Sequence, residues 1–196
     1  MLLEEFNALP EGEAQAFVRA CADVPWWATA VAAARPYRSV AALRAYAHEE
    51  AMAWGPGDVE RALADHPRIG EKGRGATAAL SAREQAGVDP ADAEVAARLA
   101  DGNARYEERF GRVFLVRAAG RSSREILTLL EQRLTHDRTT EARVTAGQLR
   151  EIADLRLAQL VTATAVDPVD DADDDLADLD DTSVTPVAAP LAEPVG

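Results

Sequence analysis

Apolar residues recur three and four positions apart through most of residues 1 to 164, and no run of four to eight residues alternates strictly enough for a strand with one exposed face. The pattern predicts helices. One starts at Pro10, whose fixed φ suits a first turn, and runs to about Cys21; another begins near Pro25 and stops by Arg35, ahead of Pro36. Ser39 caps a third, with Val40, Leu43, Tyr46 and Ala47 on one face, which Trp54-Gly55-Pro56 breaks. A short helix, Asp58 to Asp65, follows. Residues 67 to 80, PRIGEKGRGATAAL, hold three glycines and read as a long loop, and SAREQAG at 81 to 87 as a short turn. A helix from about Pro90 to Phe110 turns Val95, Leu99, Tyr106 and Phe110 inward, and FLV at 114 to 116 is briefly extended. Ser122 to Glu125 spells a capping box opening a helix to Leu134, and a last helix from about Thr140 to Ala163 carries Leu149, Ile152, Leu155 and Leu160. The sum is an all-α single compact domain of seven to eight helices, without sheet or internal repeat.

Composition adds a boundary. Residues 165 to 196 hold ten acids, four prolines and no Lys or Arg, which accounts for most of the net charge of −13. Such a segment buries too little surface to offset its ordering entropy, so 1–164 is expected to be the folded domain and 165–196 an acidic, disordered tail. Upstream, 24 acids face 21 basic residues with no Lys/Arg cluster, so no nucleic-acid partner is expected. No apolar run approaches bilayer length, and MLLEEFNALPEGE is acidic where a signal peptide would be basic. With one cysteine, Cys21, and no peroxisomal signal in EPVG, these features predict a cytoplasmic protein without membrane contact.

The candidate chemistry lies in HPRIGEK, residues 66 to 72. The glycines near Lys72 do not form a phosphate loop, because G-x-x-x-x-G-K-[ST] is absent and no hydrophobic strand precedes them. Nor do His48, His66 and His136 form a metal set; they are far apart and none belongs to an H-E-x-x-H pair. His48 is expected on a solvated helix face, and His136 near a helix C-terminus where a cationic imidazole suits the dipole. His66 sits just past a helix end, pinned by Pro67 beside a glycine-bearing loop, a setting that suits either acid/base work or a structural cap. Considered alone, the residues imply a helical domain with one suspicious loop.

Several short motifs in order go further: Phe6-Asn7; Cys21 followed by Trp26 or Trp27; RPY at 35 to 37; HPRIG at 66 to 70; SAREQAG at 81 to 87; Asn103, Tyr106 and Phe110-Gly111; FLV at 114 to 116; and IADLRL at 152 to 157. In these the sequence resembles the OHCU decarboxylase family, cofactor-free helical enzymes of urate breakdown acting on 2-oxo-4-hydroxy-4-carboxy-5-ureidoimidazoline. The resemblance covers everything but the acidic tail. It implies that His66 is the catalytic acid/base with Glu84 as its partner. It further implies that Pro67, Ser81, Gln85 and the stretch Phe114, Leu115, Val116, Arg117 and Ala118 line the substrate pocket, with Arg156 as a cationic anchor. No metal or other cofactor is implied, the product is (S)-allantoin, and the family suggests dimers, to which Trp26, Trp27 or Trp54 could contribute. The sequence departs from the family pattern at Arg112-Val113, where an aromatic residue and then proline are usual, and in a somewhat short loop between His66 and Ser81.

The chemistry is consistent with that reading. The substrate's carboxylate sits on a carbon next to a C=N bond, so the electron pair released as CO₂ departs flows onto the imine nitrogen and no pyridoxal or thiamine is required. The rival expectation is a non-catalytic helical binding module whose acidic tail docks a partner. A weaker enzymatic alternative is a related lyase or hydrolase of small-ring ureides.

Overall fold

The computed structural model describes residues 1–64, 66, 68, 69 and 93–163. Among them eight helices follow in order: α1 (Leu3–Ala8), α2 (Glu11–Arg19), α3 (Pro25–Ala33), α4 (Val40–Ala51), α5 (Pro56–Leu63), α6 (Ala93–Phe110), α7 (Ser123–Arg133) and α8 (Arg138–Leu160). The fold is all-helical, as the spacing predicts; β pairing among the described residues is a single bridge between Leu2 and Thr162. Met1–Val166 forms one compact unit. The tail at 165–196, the turn at 81–87 and most of the glycine-bearing loop lie outside the described residues. No helix among the described residues is long and apolar enough to cross a membrane.

Local chemistry sets the helix ends. Ser39 Oγ accepts from Ala42 N at 3.1 Å, and Ser122 and Glu125 cap each other's main chain as the S-x-x-E pattern predicts. Pro25 occupies the first turn of α3. The last helix starts two residues earlier than its apolar pattern indicates. Asp137 is its cap, its carboxylate taking Thr139 N at 2.9 Å and Thr140 N at 2.8 Å, and those bonds hold its pKa below the usual value.

Two of the sequence motifs are clasps. Arg35 donates Nη1 to the carbonyls of Phe6 and Leu9, both at 2.8 Å, and Nε to Ala32 O at 2.7 Å, so one guanidinium closes the C-terminal ends of α1 and α3. Asn7 completes the clasp by giving Nδ2 to Tyr37 O at 2.8 Å and receiving Tyr37 N on Oδ1 at 2.9 Å. The tryptophans divide. Trp27 is 1% exposed and donates its indole N–H to Ala47 O, Trp54 is 6% exposed and packs edge-on against Trp27, and Trp26 alone of the three faces outward at 40%.

The apolar residues gather into two cores. The larger joins α1 to α5 with the latter half of α8; the smaller joins α6 and α7. Residues 114–118 run between them, and because successive side chains of an extended chain point to opposite faces, Leu115 enters the larger core while Phe114, Val116 and Ala118 enter the smaller. The chain after α5 crosses the same boundary, with Leu63 in the larger core and Ile69 in the smaller.

Within the smaller core α6 and α7 approach closely at Gly102, where an added Cβ would lie 2.6 Å from Leu130 Cδ2. Leu130 is fully buried and has little room to yield. Gly102→Val is expected to destabilise the domain by roughly 1–3 kcal/mol through overpacking. A denaturant melt read by circular dichroism measures it; an unchanged midpoint would contradict the packing described.

Candidate active site

The position of His66 follows from α5. Pro56 opens the helix, Asp58 Oδ2 accepts from Gly55 N at 2.9 Å, and Val59, Ala62 and Leu63 bury its inner face. Its last turn then tightens, with His66 N donating to Leu63 O at 3.0 Å. The His66 ring lies 3.0 Å through Nδ1 from Ala62 O. A carbonyl oxygen only accepts, so Nδ1 carries the proton of this contact. The half-buried imidazole is thus oriented by the helix that delivers it. Beyond it, Arg68 forms a paired ion contact with Glu107 of α6, at 2.5 and 2.7 Å, which holds the Glu107 carboxyl below its usual pKa. Asn103 Nδ2 reaches Ile69 O at 3.4 Å, while its buried Oδ1 meets no partner among the described residues.

The stretch Phe114 to Ala118 is extended without a neighbouring strand, so side chains replace a sheet. Arg133 Nη1 donates to Leu115 O at 2.5 Å, Gln148 Oε1 accepts from Arg117 N at 2.9 Å, and Arg121 donates to Arg117 O. Among the described residues, the main-chain groups of Phe114 and Val116 and the N–H groups of Leu115 and Ala118 find no hydrogen-bond partner. Phe114, Leu115, Val116 and Ala118 are all buried, and unpaired main-chain groups in such a place are costly unless a ligand or water meets them.

Arg133 is itself fixed by a buried polar network that sequence reasoning missed. Its guanidinium lies over the Phe114 ring at 4.7 Å and donates to Glu141 Oε1, by Nε at 2.9 Å and by a shorter contact from Nη2. Glu141, 1% exposed, also accepts from Tyr106 Oη and lies 2.8 Å through Oε2 from His136 Nδ1. Burial pushes the Glu141 carboxyl up, but the hydrogen bonds from Arg133 and Tyr106 and the Arg133 charge outweigh it, leaving the pKa lowered. Burial first, then the nearby carboxylate, pushes Tyr106 up to about 12, against the opposing Arg133 charge. His136 does lie just past a helix end, as expected, but a carboxylate holds its ring. Tyr106 was legible as an inward residue; nothing in the spacing of Arg133 or Glu141 separates them from surface charges.

Arg156, 2% exposed, lies on α8 and donates Nη1 to Cys21 O at 3.2 Å. Its neighbour Leu157 shares a core with Leu115 and with Leu63, three residues before His66. One core therefore underlies the His66, 114–118 and Arg156 segments. Pro67, Ser81, Glu84 and Gln85 lie outside the described residues.

The fold is one already known among helical decarboxylases. A crystal structure of OHCU decarboxylase in the presence of (S)-allantoin matches with a TM-score of 0.61 over 72% of this chain and 94% of that one, at 24% identity. The family model described as OHCU decarboxylase matches residues 7–158, and the chain belongs to that family of carboxy-lyases. A Homo sapiens relative is 32% identical over 168 residues, covering 83% of this chain and 97% of its own length. The 2-oxo-4-hydroxy-4-carboxy-5-ureidoimidazoline decarboxylase of Haloferax volcanii is 28% identical over 168 residues, covering 81% and 95%.

Removing one member of the buried pair strands the other. Arg133→Met or Glu141→Gln is expected to cost roughly 3–5 kcal/mol in a urea melt. The folded-state pKa of Glu141 lies below its ordinary 4.5, so its stabilisation is complete above that value and drains as pH falls through the folded pKa. Between these limits the wild type should lose stability with acid more steeply than Glu141→Gln; parallel curves of melting temperature against pH would contradict the pairing.

Proposed function

We propose that this chain decarboxylates 2-oxo-4-hydroxy-4-carboxy-5-ureidoimidazoline to (S)-allantoin, with His66 as the acid/base and Glu84 as its partner. Family membership supports the reaction. The observation that carries the role of His66 is its ring orientation, with Nδ1–H tied to Ala62 O and Nε2 left to exchange a proton.

The substrate carries its own electron sink. As the bond to the carboxylate breaks, its electron pair passes into the adjacent C=N, giving an enol-like intermediate. Three proton movements remain. The imine nitrogen that received the electron pair takes up one proton, the ring hydroxyl gives one up and becomes a carbonyl, and the carbon bearing the ureido group gains one on a single face, a net uptake of one. His66 Nε2 serves this proton traffic, and Glu84 favours the charged imidazolium. The unpaired main-chain groups at 114–118 support the reading that this stretch receives the polar edge of a small ring, alongside Pro67, Ser81 and Gln85. Gln85 offers both a donor and an acceptor to the ureido group or ring amide.

Arg156 is the cationic anchor in this reading. A grip on the departing carboxylate that was strongest in the ground state would slow the reaction, so Arg156 serves mainly the ring or ureido oxygens. On the same reading the enzyme is cytoplasmic, without nucleic-acid or membrane partners, and the family suggests a homodimer; Trp26 is an exposed apolar residue.

Freshly generated substrate, followed in the ultraviolet, tests the proposal. His66→Ala is expected to lower turnover on the order of 10²–10⁴-fold. Circular dichroism of the product separates catalysis from spontaneous decay, which yields racemic allantoin. Equal rates and equal optical purity with and without the imidazole would remove His66 from the mechanism. Arg156→Lys is expected to raise KM with little change in kcat, the signature of lost uniform binding; a fall in kcat at constant KM would assign it to the transition state instead.

A further inference from the structure

The departure at Arg112 has a structural setting of its own. A cavity of about 400 Å³ lies between the start of α5 and the first half of α8, away from His66 at the other end of α5. Trp54, Pro56, Val59, Ala142 and Ala146 give it an apolar lining. Arg112, Arg143 and Arg150 complete it, with no Asp or Glu among the lining residues.

The arrangement on α8 is regular. Arg143 and Arg150 are two turns apart, roughly 10 Å along one helix face, and Ala146 between them is small enough to leave the space open. Arg150 is anchored, its Nε donating to Ala51 O at 3.0 Å. Arg112 and Arg143 have no hydrogen-bond or ion-pair partner among the described residues. The nearby acid, Asp58, has one carboxylate oxygen committed to Gly55 N. The Trp54 indole N–H is buried and meets no acceptor among the described residues. Three guanidinium groups beside one apolar hollow repel one another, and a guanidinium fork matches the two oxygens of a carboxylate.

We infer that this cavity is a second binding site, for a small carboxylate with a flat apolar body. The apolar part lies against Trp54, Pro56 and Val59, and the carboxylate meets the arginines. The occupant differs in kind from the polar ureidoimidazoline of the proposed active site, and the inference does not depend on that assignment. The site also touches both segments that lead to it: α5 starts in its wall, and Arg112 stands two residues before Phe114.

The test uses the full ¹⁵N-labelled chain titrated with 2-naphthoate, followed through the three tryptophan indole N–H signals. Loss of one signal in Trp54→Phe identifies the Trp54 peak. A saturable shift of that peak is expected, and 2-naphthamide, the uncharged analogue, should bind about tenfold more weakly or worse. Arg143→Met and Arg112→Met should each weaken 2-naphthoate about tenfold, whereas Arg98→Met, which alters the Arg98–Glu131 ion pair on α6 and α7, should not. Arg143 is exposed and its variant is expected to fold; if it does not, Arg112→Met carries the comparison. Failure of 2-naphthoate to shift the Trp54 signal saturably, equal affinity for acid and amide, or indifference to both arginine substitutions would each overturn the inference.

Discussion

The buried pair of Arg133 and Glu141 is the constraint on which the smaller core and the extended segment both depend. Two opposite charges removed from water are tolerable only if nearly every lone pair and proton is met, and here Tyr106, Thr145 and His136 join the pair. Such an ion pair is weak evidence of net stabilisation, since an apolar replacement of equal volume often does as well. Its consequence here is positional. Arg133 Nη1 reaches the Leu115 carbonyl, so the polar network under α6, α7 and α8 fixes a stretch of main chain that no sheet supports.

That stretch gives a helical bundle a fixed run of main chain outside any helix. Helices satisfy their own main chain and leave little of it for a ligand. An extended segment held by Arg133, Gln148 and Arg121 keeps several donors and acceptors unused while its side chains lock into cores on both sides. The imidazole of His66 follows the same logic at a helix end, where the Ala62 carbonyl is available to orient the ring.

The family motifs divide between architecture and chemistry. Phe6-Asn7 and Arg35-Pro36-Tyr37, distant in sequence, are two halves of one clasp, and within IADLRL, Asp154 holds Arg44 in a paired contact at 2.8 and 2.6 Å while Arg156 is buried toward Cys21. Motif residues are therefore not automatically reactive. The arginines around the cavity at Trp54 make the complementary point, because Arg112 breaks the family pattern and still has a coherent physical setting.

Much of the fold was legible in the chain, since helix periodicity, proline positions and the Ser39 and Ser122 caps are local properties. The inward face of α6, the solvated His48 and the extended character of 114–116 follow from the same short-range rules; of the face expected on α8, Leu149 and Ile152 are buried, but Leu155 joins neither core and Leu157 is buried instead. The start of α8 was misjudged because Asp137, a polar residue outside the apolar pattern, sets it. The family resemblance singled out His66, the 114–118 stretch and Arg156, but spacing could not reveal which nitrogen of His66 faces Ala62 O or what fixes Leu115. Those depend on three-dimensional geometry: the Ala62 carbonyl at the end of α5 turned toward the ring, and a guanidinium from α7 meeting a carboxylate from α8. The sequence by itself determined the helical character and most of the boundaries of α2 to α7, because those are settled within a few residues, but not α1 or the start of α8; tertiary packing alone decided which charges are buried and paired, because burial is a property of neighbours remote in the chain.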